Sequence, residues 1–292
     1  MRTQLKEKIQ VALKVFVERK GSQQKAAAAL DGVSPALISQ QLANNWKDIS
    51  EQMWNKLCKQ LRVCRVEWTL AETGPYKFMK EVLSEAQKHS KVMAIVMPPG
   101  SGKTATARAF CDEKGDRYHI ECASYMTQQS FLRDILSAMG KDKGGSAPML
   151  IDRIVRELEK KEAPLLILDE WEKMTPKVKY FFITLYNKLE NKCGIVLIGT
   201  PKLKTIIEDG VNRDTIGFPE IYSRLNRTFL EPKPLRAKDI MLVCQANGIT
   251  NTADQQMIVN ECGGDLRSVN LKVLAMKQLK QQELQELQEE AA

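Results

Sequence analysis

Residues suited to metal or redox chemistry are scarce in this sequence and poorly arranged for it. It has two histidines, His89 and His119, well apart, and seven cysteines with no pair at the two-residue spacing of a zinc knuckle. The odd count, scattered over positions 58, 64, 111, 122, 193, 244 and 262, argues against a disulfide framework. Reduced, mostly buried thiols are expected. Aromatics are only 6% of the residues, yet 43% apolar and 27% charged is an ordinary globular balance, which excludes fibrous and disordered classes. A long apolar run is missing too: none approaches the ~20 residues that span a bilayer. The opening MRTQLKEKIQVALKVF breaks its apolar residues with charges at helical spacing. No signal peptide and no membrane contact are expected, and the expected location is the cytoplasm. No internal repeat is visible.

What is present starts with charge. The net charge of +8 favours a polyanionic partner, because a basic surface releases counterions when it neutralises phosphates; solubility is the plainer use of it. Three blocks follow one another. Residues 1–68 read as all helix; 69–232 alternate short apolar runs with amphipathic stretches, the pattern of a parallel sheet flanked by helices; after Pro232 and Pro234, residues 233–292 are helical again. The strand candidates are Val92–Met97, Tyr118–Cys122, Leu165–Leu168 and Ile195–Ile198, and the loop Lys141–Pro148 is the most flexible stretch of the middle block.

The most informative run is AIVMPPGSGKTATARAF. An apolar strand enters Pro99-Gly100-Ser101-Gly102-Lys103-Thr104, and an alanine-rich helix leaves it. Small residues let backbone N–H groups converge on phosphate oxygens at the positive end of that helix. Lys103 is placed for the β- and γ-phosphates and the Thr104 hydroxyl for Mg²⁺. Met97 stands where the pattern G-x-x-x-x-G-K-[ST] has its first glycine. Further on, Leu165–Leu168 ends in Asp169-Glu170, a buried strand whose carboxyl end opens at a ligand crevice. Asp169 would serve the Mg²⁺ shell, and Glu170 would be the base for the attacking water.

In the first block, Ser22 opens a short helix running to Leu30, Asp31-Gly32-Val33 makes a tight turn, and Ser34-Pro35 opens a second helix with Ser as cap. Leu37, Ile38 and Leu42 are expected to face the core, leaving Ser34, Ala36, Ser39, Gln40 and Gln41 on the exposed face. This is the layout of a helix-turn-helix that offers Ser and Gln to a DNA groove, and also of a helical hairpin used for protein contact.

These elements, with Gly199-Thr200-Pro201 ending the next strand, resemble the AAA+ ATPases, and within them the transposition ATPases of the TnsC, IstB and phage Mu B kind. The resemblance implies an α/β fold: an AAA+ P-loop parallel sheet with flanking helices, an all-α helix-turn-helix domain before it and a small helical lid after it. It implies ATP and Mg²⁺ as cofactors, and Thr200 at the position that orients the attacking water. Arg224, with Arg227 nearby, matches the finger that reaches a neighbouring subunit's γ-phosphate, and Arg267 matches the lid arginine that senses nucleotide. Partners implied are double-stranded DNA bound with little sequence specificity, a transposase, and further copies of the chain in a ring or filament. DNA would be gripped through its backbone by Lys141, Lys143, Arg153 and Arg156, with Lys160 and Lys161 beside them. The function implied is ATP-dependent assembly on target DNA and its delivery to a transposase, with ATP hydrolysis driving disassembly. A helicase loader or replication-initiation ATPase, or a nucleotide-switched transcription regulator, would use the same parts.

Overall fold

A computed structural model describes residues 3–61, 63, 68–113 and 115–290, with side chains from residue 5 to 280 and at residue 282. Cys64, Ala291 and Ala292 lie outside the described residues. The chain divides into two compact units, Met1–Trp68 and Thr69–Ala292. Among the described residues no helix is long and apolar enough to cross a membrane.

The first unit holds α1 (Thr3–Lys20), α2 (Gln23–Ala28), α3 (Pro35–Leu42) and α4 (Glu51–Gln60). The serines do what the sequence suggested. Ser22 and Ser34 accept hydrogen bonds from the N–H groups of Lys25 and Leu37, and Pro35 occupies the first turn of its helix. Gly32, at φ +62°, makes the turn between α2 and α3. That turn is fastened to α4 by a Lys56–Asp31 ion pair of 3.0 Å and by Gln60, which bonds both backbone groups of Asp31. Ile9, Leu13, Ala26, Ile38, Trp54 and Leu57 close the core, where Trp46 meets Trp54 edge-on at 5.6 Å. Each of the larger side chains among these, Ala26 apart, contributes ~1.5–3 kcal/mol by leaving water. Cys58 is disulfide-bonded, against the expectation of reduced thiols, whereas Cys111, Cys122, Cys193, Cys244 and Cys262 are free.

The second unit runs α5 (Gly74–Lys88), β1 (Val92–Val96), α6 (Lys103–Asp112), β2 (Arg117–Glu121), α7 (Gln128–Ala138), α8 (Ala147–Glu159), β3 (Leu165–Asp169), a 3₁₀ turn (Trp171–Lys173), α9 (Pro176–Leu189), β4 (Gly194–Gly199), α10 (Pro201–Asn212), α11 (Phe218–Arg224), α12 (Ala237–Ala246), α13 (Thr252–Glu261) and α14 (Leu266–Glu290). The sheet is parallel, in the order β1-β4-β3-β2, and a single bridge sets Leu230 beside Ile95 of β1. All four apolar runs became strands. β1, β3 and β4 read as near-continuous apolar stretches because both faces are covered, with alternate residues facing opposite ways, whereas β2 mixes Arg117, His119 and Glu121 with its apolar residues. Ile95, Ile167, Val196 and Ile198 pack under α5 and α6, while Ala94, Leu166, Leu168 and Leu197 pack under α7 to α11.

The closing helices α12 to α14 are tied to the entry of the sheet unit. Asn247 exchanges two hydrogen bonds of 2.9 Å with the backbone of Thr69, and Asp239 accepts the Gly74 N–H at 2.8 Å. The loop before α8 is shorter than its sequence suggested, because Ala147 and Pro148 already belong to the helix.

Candidate active site

The phosphate loop leaves β1 through Met97, whose N–H bonds the Gly199 carbonyl at 3.0 Å and whose side chain is buried in the core. Met97 therefore continues the strand and needs no glycine. The left-handed conformations fall at Gly100 (φ +73°) and Gly102 (φ +89°), and Gly102 caps α6. A β-carbon on Gly100 would lie 2.1 Å from Asp265 Oδ1, and the Leu266 N–H donates to the Gly100 carbonyl at 2.9 Å. The Gly263–Arg267 segment is thus docked on the loop. Lys103 is buried, and its ammonium donates to the carbonyls of Met97 (3.1 Å) and Pro98 (2.8 Å). Burial lowers its pKa, Asp169 and Glu172 oppose that, and Arg267 adds to it. Ser101 Oγ donates to the Pro98 carbonyl at 2.7 Å.

Asp169 ends β3 fully buried. Its Oδ2 accepts the Thr104 hydroxyl at 2.7 Å and lies 3.4 Å from His119 Nε2, and its Oδ1 accepts the Glu170 N–H at 2.9 Å. Burial pushes this carboxyl upward, but His119, Thr104 and the Glu170 N–H together hold it below the usual value. Thr104 and Asp169 thereby bring two hard oxygens together, the donor type that Mg²⁺ takes. His119, Glu121 and Asp169 each place one donor atom within 4.8 Å of the others, and Glu121 is also ion-paired to Arg108. His119 carried no functional reading in the sequence; a histidine inside a strand candidate beside the acid pair was the available signal.

Glu170 sits at φ +56°, a conformation that costs a non-glycine residue about 1–3 kcal/mol and gathers at functional sites. Its carboxylate is paired with Lys173 at 2.5 Å. Two residues on, Glu172 turns inward. Its Oε1 accepts both the Thr200 N–H (2.9 Å) and the Thr200 hydroxyl (2.8 Å). Its backbone carbonyl accepts from Lys179 Nζ at 3.0 Å. Lys179 is only 3% exposed, its ammonium 5.1 Å from the Trp171 ring centroid, and burial lowers its pKa to about 8. Neither Glu172 nor Lys179 was marked by the sequence, since an acid and a lysine near a helix start usually read as a solvated face.

The arginines separate. Arg267 lies at the start of α14, beside the Asp265 that abuts Gly100, and its charge is felt at Lys103. Arg224 ends α11, with its guanidinium 5.2 Å from the Tyr186 ring centroid and 3.3 Å from Asn187 Oδ1; both partners belong to α9 and neither to the phosphate loop. Arg227 follows in a left-handed conformation at φ +53°.

Of the residues proposed for DNA, Ser34 and Ser39 are exposed and Gln40 is half-buried. Gln41 is not on that face. It is 0% exposed, because the inward stripe of α3 passes through Ile38 and Gln41. Both atoms of its amide are buried without a partner among the described residues. In the second unit, Lys141 pairs with Glu157 at 2.6 Å and Arg153 with Asp142 at 2.6 Å, while Lys143 reaches Ser137 and Arg156 the Asp152 carbonyl. Lys160 and Lys161 pair with Glu157 and Asp116.

Residues 86–207 match a family model described as an AAA domain. No curated protein matches the sequence. Among solved structures, the chain is similar to the Aeropyrum pernix ORC2 protein in its ADPNP-ADP complexes, at 16% identity and a TM-score of 0.50, covering 70% of this chain and 59% of that one. It is also similar to Drosophila ORC bound to DNA (18%, TM-score 0.43, 71% and 55%). A third is the replication initiator DnaA bound to AMPPCP and single-stranded DNA (15%, TM-score 0.49, 75% and 66%). The chain spans less than two thirds of the length of each of these proteins. The parallel sheet order, the loop after β1 and the acids at the end of β3 agree with the match of residues 86–207 to an AAA domain, and the second unit has the AAA+ fold.

Proposed function

We propose that the chain is a Mg²⁺-dependent ATPase whose nucleotide state governs its assembly on DNA. The observation that carries this is the meeting of Lys103, Thr104 and Asp169 at one end of the sheet, with Arg267 close enough for its charge to be felt there. Thr104 and Asp169 would hold Mg²⁺, which on binding would neutralise phosphate charge. Pro99 to Thr104 would cradle the phosphates, with Lys103 turning from its own loop carbonyls to the γ-phosphate. Glu170 would take the proton of the attacking water, and Arg224 would complete a neighbour's site, so hydrolysis and assembly would depend on each other. Helices α2 and α3, with Ser34, Ser39 and Gln40, support a DNA-binding role for the first unit. Lys141, Lys143, Arg153 and Arg156 are the proposed backbone grip.

Delivery of the bound DNA to a transposase is the finer reading, and it rests on the order of domains around the ATPase core. Helicase loading or replication initiation uses the same core, supported by the fold likeness to the archaeal ORC2 protein. The first test is release of phosphate from ATP with Mg²⁺ and duplex DNA, by the wild type and by Lys103→Ala. Electron micrographs of the same mixture should show rings or filaments on DNA with ATP. Phosphate release unchanged in Lys103→Ala, or unattached monomers with ATP and DNA, would refute the proposal. Affinity capture from cells that hold both a transposase and a replicative helicase then separates the two finer readings.

A further inference from the structure

Resting on the reading that the chain hydrolyses ATP, we infer that Glu172 is a positioning residue that fixes the Thr200 hydroxyl as a hydrogen-bond acceptor for the attacking water. Thr200 follows the last residue of β4, whose Gly199 pairs with Val96 at the point where β1 enters the phosphate loop. Thr200 is also the cap residue of α10, yet its side chain makes no capping bond to that helix. Its hydroxyl turns to Glu172 instead, at 2.8 Å. A threonine hydroxyl has one proton to donate and two lone pairs to offer. With the proton held by a carboxylate, only the lone pairs face outward, so Thr200 accepts from a water and cannot donate to it. An acceptor draws the water's proton away from its oxygen and leaves that oxygen more nucleophilic, whereas a donor would occupy the lone pair needed for attack.

Three further features fit a fixed Glu172. A β-carbon on Gly199 would stand 2.4 Å from Glu172 Oε2, so glycine there admits the carboxylate. Lys179 clamps the Glu172 backbone from the other side. Glu172 Oε2 is buried and accepts no hydrogen bond among the described residues, so both hydrogen bonds that the carboxylate accepts there come from Thr200. Glu170, by contrast, is partly exposed and paired with a surface lysine, free to swing toward a substrate. The two acids thus divide the work, one moving and one fixed.

The experiment uses the full chain with Mg²⁺-ATP and DNA, and reads kcat, KM and the affinity for a fluorescent ATP analogue. Glu172→Ala and Thr200→Val should each lower kcat by about tenfold or more, with KM and analogue affinity changed by less than about twofold. The double variant should be no slower than either single one, because both remove the same oriented acceptor. Glu172→Gln, which keeps an acceptor for both Thr200 groups, should stay within about threefold of the wild type. Thermal melts confirm that each variant is folded. Losses that multiply in the double variant, an unchanged kcat in Glu172→Ala, or equal losses in Glu172→Gln and Glu172→Ala would overturn the inference. A wild type that binds the analogue but releases no phosphate would sink the ATPase proposal, and this inference with it.

Discussion

Lys179 is an ammonium in the wall of an apolar core, and removing it should stabilise the protein in a pH-dependent way. Burial lowers its pKa from 10.5 to about 8. A lysine whose folded pKa is depressed binds fewer protons when folded than when unfolded between those two values, so stability rises with pH across that window. Below pH 8 the folded state carries the full cost of the buried charge, about 3 kcal/mol at 1.36 kcal/mol per pKa unit. Lys179→Met keeps the apolar stem and removes the charge, along with one hydrogen bond to the Glu172 carbonyl worth about 1–2 kcal/mol. At pH 7 the variant should therefore be more stable by about 1–2 kcal/mol, and by pH 10 that advantage should shrink by about 2–3 kcal/mol. Urea titration of both proteins at pH 7 and pH 10 measures the difference, in which titrations common to the two cancel. A variant less stable than the wild type at pH 7, or a gap that does not change with pH, would refute the reasoning.

Glu170→Gln should retain ATP binding and lose about 10²–10⁴ in phosphate release, read by single-turnover assay; undiminished turnover would exclude Glu170 as the base. Gly100→Ala places a β-carbon against Asp265 and strains a backbone at φ +73°, so affinity for a fluorescent ATP analogue should fall by about tenfold or more. Adding Asp265→Ala should restore part of that affinity. Arg224→Ala should be slow alone, since a finger in trans contributes about 10³–10⁵ in rate. Mixed with Glu170→Gln subunits, it should show more activity than the two measured apart, because some interfaces then pair an intact finger with an intact base.

The sheet was legible because a strand buried on both faces must be apolar throughout, so Leu165–Leu168 and Ile195–Ile198 announced themselves. The phosphate loop was legible for a different reason: φ of +73° and +89°, at residues 100 and 102, is a conformation that strongly favours glycine. Met97 departs from the motif at a place where the backbone is ordinary strand and the side chain is core. What stayed hidden was which polar groups meet across the sheet. His119 reaches Asp169 from the neighbouring strand, and Glu172 reaches Thr200 across 28 residues, so no local spacing encodes either pair. Gln41 misled because helical phase near a short helix's end is decided by what packs there, and α3 turned it inward beside Ile38.

The close approach of Gly100 to Asp265 joins two positions 165 residues apart into one unit of variation. Any side chain at 100 displaces the carboxylate at 265, and any larger residue at 265 presses on the Gly100 backbone. The same holds for Gly199 with Glu172, where a methyl group and a carboxylate oxygen would compete for one space. Substitutions at either member of such a pair should survive in related chains only when the other changes in the same lineage. The pairs would then appear as correlated columns, one between the loop after β1 and the residue before α14, the other between the end of β4 and the turn after β3, a record of contact written in sequence variation.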